Sequence, residues 1–327
     1  MKKRLFFISL LFILTLIVSA CGNKDHKNEV VKKEDGVLSV YTTVYPLQFF
    51  TEQIGGEYVD VKSIYPAGAD EHSFDPTQKD MMALSKSDLF FYIGLGLEGF
   101  VENAQKTLKN EHVEMIATAN AIPESKLSEN DEHEHGEDEH DEHGEEEHHD
   151  HGEFDPHVWI SPTLSIELAR SIQDSLITKM PEQKDTFMKN FDKLENNLLE
   201  LDDRFKKMTE QAPTKTFFVS HAAFGYIAND YGLHQVAIAG LNSQNEPSQK
   251  QLTKIVEQAK QENVQYILFE QNVSSKLTEV VRKELGAEAL TLHNLGVLTQ
   301  EDMDNNETYF TLMERNLSVF EKALNSK

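Results

Sequence analysis

From Phe187 to Met208 the chain places Phe187, Phe191, Leu194, Leu198, Leu201, Phe205 and Met208 at alternating steps of four and three. That spacing lays one apolar seam along a single α-helix. Pro181 precedes the seam and Pro213 follows it, and neither belongs in a helix interior. They bound a helix of about thirty residues, about 45 Å long at 1.5 Å per residue. A helix of that length in the middle of a 327-residue chain leaves a substantial stretch on each side of it. The same seam would suit a two-stranded coiled coil. The return of strand-and-helix text directly after Pro213 favours a single helix lying across two lobes.

On the N-terminal side, residues 37–44, 58–65, 88–95 and 113–117 read as strands, from runs of β-branched and aromatic residues. A short helix at 48–54 ends at Gly55-Gly56, and another is expected from about Pro76, with Asp75 as its cap. Ser161-Pro162 opens a further helix. Beyond the seam, 216–220, 235–239, 264–269 and 289–292 read as strands, Ser248 and Gln251 fit a capping box, and 309–324 is a final helix. Strands alternating with helices imply parallel sheets. The expected fold is therefore α/β: two (β/α) lobes, 37–180 and 213–327, joined by a linking helix at 181–212. A binding site would lie in the cleft between them, at the carboxyl ends of the strands.

The first twenty residues read as a targeting segment. Lys2, Lys3 and Arg4 precede an apolar run at 5–18, too short to span a bilayer, and Ser19-Ala20-Cys21 follows. This resembles a bacterial lipobox. Cys21 is the only cysteine, so it becomes the expected lipidation site, 21–36 a tether, and the protein an extracytoplasmic one anchored to the membrane. Net charge is −25, and the tract 131–153 supplies 13 acidic residues and no basic ones. A nucleic-acid partner would call for the opposite sign. That tract also holds His133, His135, His140, His143, His148, His149 and His151. It lies in an insert at about 124–153 that is too polar to bury a core, and is expected to be disordered.

Three other histidines stand where the cleft should be. His72 lies in YPAGADEHSFDPTQ, between a strand and a helix; His157 lies in FDPHVWISP, bracketed by Pro156 and Pro162; His221 ends a strand in TFFVSHAAFGY. A lone histidine at a strand end is more often an ordinary hydrogen-bonding residue. Three in comparable places form a donor set that Zn²⁺ accepts, with a fourth position left over. His26, His112, His234 and His293 have no such placement.

The lipobox, GADEHSFDPT, the histidine-rich insert, FDPHVWISP, VSHAAFGY, the long helix and LFEQNVSSK occur in that order. Together they resemble the zinc-binding solute-binding lipoproteins of ABC importers, the metal-specific class called cluster A-I. The resemblance spans nearly all of the chain after Cys21. It implies Zn²⁺ held between two lobes by His72, His157 and His221, and delivery to a membrane permease; the protein itself is expected to be a monomer. Many members carry an acidic fourth ligand in the segment corresponding to HNLGVLT, and Gly296 stands there instead. Water or Glu71 is then the expected fourth ligand, with Glu270 a further candidate. The manganese members place carboxylates at two positions, whereas three imidazoles favour borderline metals, Cu²⁺ and Ni²⁺ included.

On this reading the seven tract histidines collect or buffer zinc weakly, since ordering a polar chain around each ion costs entropy. Two other functions use similar residues. A surface zinc-binding adhesin or metal store would share the anchor and the tract. A zinc hydrolase would also use three histidines and an open position, but the sequence contains neither H-E-x-x-H nor G-x-S-x-G. The expectation is a binding protein and not an enzyme.

Overall fold

The computed structural model describes residues 36–129 and 154–325, apart from 243, 246 and 272–274. The targeting segment, Cys21, the tether up to residue 35, His26 and the seven tract histidines lie outside the described residues. Four parallel strands, β1 (Leu38–Thr42), β2 (Val59–Ser63), β3 (Leu89–Tyr92) and β4 (Glu114–Ala117), form a first sheet in the order β2-β1-β3-β4. The strand β3, LFFY, is buried at every position, as a central strand covered on both faces must be. Around this sheet run α1 (Tyr45–Gly55), α2 (Gln78–Leu84), α3 (Val101–Leu108) and α4 (Pro162–Lys179). The long helix α5 (Lys184–Gln211) follows a short turn at Pro181–Gln183. Beyond it, β5 (Thr216–His221), β6 (His234–Ala239), β7 (Tyr266–Glu270) and β8 (Glu288–Leu292) repeat the pattern in the order β6-β5-β7-β8, again all parallel. Their helices are α6 (Gly225–Tyr231), α7 (Gln249–Gln261), α8 (Lys276–Leu285), α9 (Gln300–Asp304) and α10 (Tyr309–Leu324).

The helix α5 has 28 residues, and its seam is buried from Phe187 through Phe205. Met208 is half-buried, and Thr209 takes the buried place in the last turn. The seam packs on α1 and α4 of the first half and on α6 and α10 of the second. It is thus covered within the chain, which removes the coiled-coil alternative. The final helix also returns to the first half: Tyr309 stacks on Phe49 at 6.2 Å and meets Phe50 edge-on at 5.0 Å. One apolar cluster accordingly runs from Val40 and Phe90 in the first sheet to Val219 and Leu268 in the second. A smaller cluster, including Phe218, Ile238 and Val281, packs with α7 and α8 on the second sheet.

One helix start differs from expectation. The helix α2 begins at Gln78, capped by Thr77, and not at Pro76 with Asp75 as cap. The Thr77 hydroxyl accepts from Asp80 N, and the Asp80 carboxylate accepts from Thr77 N at 2.9 Å. This reciprocal pair satisfies two backbone donors. Among the described residues no helix is long and apolar enough to cross a membrane.

Candidate metal centre

His72 sits in the connection between β2 and α2. Asp70 Oδ1 accepts from the backbone N–H groups of His72 (2.9 Å) and Ser73 (3.2 Å), which fixes the local turn. His157 lies after a point where the chain is pinned several times. Phe154 pairs with Glu129 in an antiparallel bridge, Asp155 N donates to Ser128 O at 2.9 Å, and Tyr226 Oη donates to Asp155 O at 2.8 Å. Asp155 Oδ1 then accepts from His157 N at 2.9 Å and bonds its Nδ1 at 2.8 Å. A Cβ at Gly225 would stand 2.8 Å from Asp155 Oδ2, so glycine there gives the carboxylate its room. His221 is the last residue of β5, and Glu270 ends the neighbouring strand β7. Two of the site's groups therefore come from adjacent carboxyl ends of a parallel sheet, as such folds favour. His157 does not come from a strand end; it precedes the short turn that leads into α4.

The three imidazoles converge. One ligand atom from each of His72, His157 and His221 lies within 4.8 Å of the others. Ring centroids are 5.1 Å apart for His72 and His157, 5.4 Å for His72 and His221, and 5.0 Å for His157 and His221. The Nε2 atoms of His157 and His72 are 3.2 Å apart. Two nitrogens at 2.0–2.1 Å from a tetrahedral ion would stand about 3.3–3.4 Å apart, so this spacing fits a shared Zn²⁺-sized ion.

Carboxylates orient two of the rings from behind. Asp155 binds Nδ1 of His157, leaving its Nε2 toward His72, and Glu270 binds Nδ1 of His221 at 2.9 Å. Glu270 also accepts from Ser220 Oγ at 3.0 Å. Burial holds the His72 imidazole well below its usual pKa, with the neighbouring His157 and His221 adding to the effect. That ring is neutral, as ligation needs. For His221, burial opposes the charged form most strongly, but Glu270, with help from Glu71 and the Leu241 carbonyl, outweighs it and pushes the imidazole up to about 9. Its Nε2 lies 3.0 Å from Leu241 O, so without a metal the imidazolium donates on both sides.

Glu71, expected as a fourth ligand, is 4% exposed and adjacent to the cluster but outside the mutually close set of atoms. Its Oε1 accepts from Asn294 Nδ2 at 2.9 Å, and burial raises its carboxyl to about 7. A Cβ at residue 296 would lie 2.6 Å from that oxygen, so the carboxylate fills the room that Gly296 leaves. Glu270 supports His221 from the far side of its ring. Sequence reasoning missed Asp155 and Asn294. The D-P-H order, an acid two residues before a histidine, was a usable signal for Asp155. No short-range pattern marks Asn294. His112 bonds Asp88 at 2.9 Å near the surface, and buried His293 bonds Asp302 at 3.1 Å.

Two parallel sheets of like order, a long helix against both, and three imidazoles gathered from both halves make an α/β fold with a histidine cluster that could hold a metal ion. The comparisons specify it further. The family described as "Zinc-uptake complex component A periplasmic" matches residues 40–323, and the chain belongs to that family. It is 37% identical over 320 residues to the high-affinity zinc uptake system protein ZnuA of Bacillus subtilis, covering 98% of this chain and 97% of that one. It is also 37% identical to the zinc-binding lipoprotein AdcA of Streptococcus pneumoniae, over 99% of this chain. Here it spans only 61% of the relative's length. The Zn(II)-bound ZnuA-like domain of that AdcA superposes with a TM-score of 0.71 at 34% identity, over 89% of this chain and all of that domain. These relatives are named as binding and uptake proteins, not as enzymes.

Proposed function

We propose that this protein captures Zn²⁺ outside the cytoplasm and hands it to the permease of an ABC importer, with His72, His157 and His221 as the ligands. The observation that carries this reading is the convergence of the three imidazoles in a chain of the zinc-uptake family. Three nitrogen donors suit Zn²⁺ and leave one further position, whereas Mn²⁺ favours oxygen donors. Water is the candidate for that position, and Glu71 stands beside it, outside the mutually close set of atoms. Asp155 and Glu270 orient the rings and do not touch the ion.

The two lobes, 37–180 and 213–327, each contribute ligands, and the helix at 181–212 holds their spacing. A lipid on Cys21 tethers the monomer to the membrane. The histidine-rich tract gathers Zn²⁺ loosely through His133, His135, His140, His143, His148, His149 and His151. Glu129 and Phe154, the described residues that flank it, pair in a bridge next to Asp155, which supports a place for the tract near the tight site.

The test is metal analysis with competitive titration on three forms. The full chain and a form lacking 130–151 each retain one tight Zn²⁺. His157→Ala loses more than the roughly 10–100-fold that removing a ligand's supporting partner costs. Tight binding that survives His157→Ala, or disappears with the tract, refutes the assignment. Uptake of labelled zinc by cells lacking the protein tests delivery: uptake restored by the full chain and not by His157→Ala supports it.

A further inference from the structure

Asn294 follows β8, is 1% exposed, and has every polar atom engaged. Its Nδ2 donates to Glu71 Oε1 at 2.9 Å and to Glu270 Oε2 at 3.1 Å. Its Oδ1 accepts from Gln271 Nε2 and from Gly296 N, both at 3.0 Å. Its backbone N–H donates to Gln271 Oε1 at 3.1 Å, and its carbonyl accepts from Trp159 Nε1 at 2.7 Å. A side-chain amide has two N–H donors and two acceptor lone pairs, and here all four are used. Turning the amide over would aim its oxygen at two carboxylates, so its orientation is fixed.

These partners connect the whole site. Glu71 precedes His72 in the chain, Glu270 bonds Nδ1 of His221, and the ring of Trp159 lies 5.3 Å from that of His157. Asn294 is therefore one contact away from each of the three ligand-bearing segments. For Glu71 to reach the shared point its carboxylate would have to leave Asn294, and a buried donor would lose its partner.

We propose that Asn294 is a positioning residue that sets the fourth coordination position: by clamping Glu71 it keeps this carboxylate beside the metal and off it. The ion then has three imidazoles and one small exchangeable ligand. This rests on the three-histidine reading above. Releasing Glu71 would add an oxygen donor, which moves preference toward harder ions such as Mn²⁺ and holds the cargo more firmly.

Co²⁺ in place of Zn²⁺ reports donor set and coordination number through its visible spectrum. Glu71→Ala leaves that spectrum as in the unmodified protein. Asn294→Ala changes it and narrows the preference for Zn²⁺ over Mn²⁺ by about tenfold, as supporting-partner and ligand changes do. The double variant Asn294→Ala/Glu71→Ala returns to the unmodified spectrum, which a merely structural role for Asn294 would not produce. A spectrum unchanged in Asn294→Ala, changed by Glu71→Ala alone, or still shifted in the double variant overturns the proposal. Should Asn294→Ala fail to fold, Gly296→Ala displaces Glu71 sterically and gives the same spectral change; an unchanged spectrum overturns it. Failure of the unmodified protein to bind Co²⁺ would instead overturn the three-histidine reading.

Discussion

Replacing Glu270 by glutamine isolates the proton that zinc would have to displace from His221 if that ring is a ligand, as proposed. In the metal-free protein the Glu270 carboxylate keeps His221 charged, up to about pH 9, and the imidazolium carries a proton on the Nε2 that would face the metal. At pH 7 only about one molecule in a hundred has that nitrogen free, from the two-unit gap. Binding at pH 7 therefore releases about one proton from His221, against a free-energy cost of about 3 kcal/mol at 1.36 kcal/mol per unit. The proton competes with the metal, so affinity rises with pH by up to about tenfold per unit and levels off above about pH 9. In Glu270→Gln the amide oxygen can still accept from Nδ1, so the ring keeps its support. The raising charge is gone, and burial, the largest influence on this group, then leaves the imidazole neutral at pH 7. Calorimetric titration in buffers of different ionisation enthalpy measures the released protons. The expected result is about one fewer proton for Glu270→Gln, with weaker binding than the unmodified protein above pH 9 and a smaller difference at pH 7. Equal proton release by the two proteins, or none by the unmodified one, would refute the reasoning.

Two further outcomes follow from packing. Leu198→Ala, at a fully buried seam position of the long helix, should lower unfolding free energy by about 2–5 kcal/mol in denaturant titrations and leave zinc affinity unchanged. Gly225→Ala places a methyl 2.8 Å from Asp155 Oδ2, so the support behind His157 must shift; zinc affinity should fall by about tenfold or more in a competition assay, with the fold retained by circular dichroism.

The long helix was legible because seven apolar positions kept one period between two prolines, and the strands because their apolar runs end at clear turn residues. The order of strands within each sheet was not, since period and propensity carry no information on neighbours. The three histidines could be singled out by where their segments fall relative to strands and prolines. Their support was harder to see. Asp155 lies two residues before His157, within reach of local reading, but Glu270 meets His221 across 49 positions and Asn294 meets Glu71 across 223. Such partners are set by sheet register and by the folding of one half onto the other. At the start of α2, Asp75-Pro76 offers a familiar cap, but the reciprocal Thr77–Asp80 pair two residues on satisfies more donors and sets the boundary.

The apolar cluster shared by both sheets resists a wide separation of the two halves. Swinging the halves apart like a clamshell would strip Tyr309 from Phe49 and Phe50, and unseat the long helix from one side. Each large side chain so exposed costs about 1.5–3 kcal/mol. Under the proposed function, zinc would then leave through local rearrangement of the segments around His72, His157 and His221, with the shared cluster left intact.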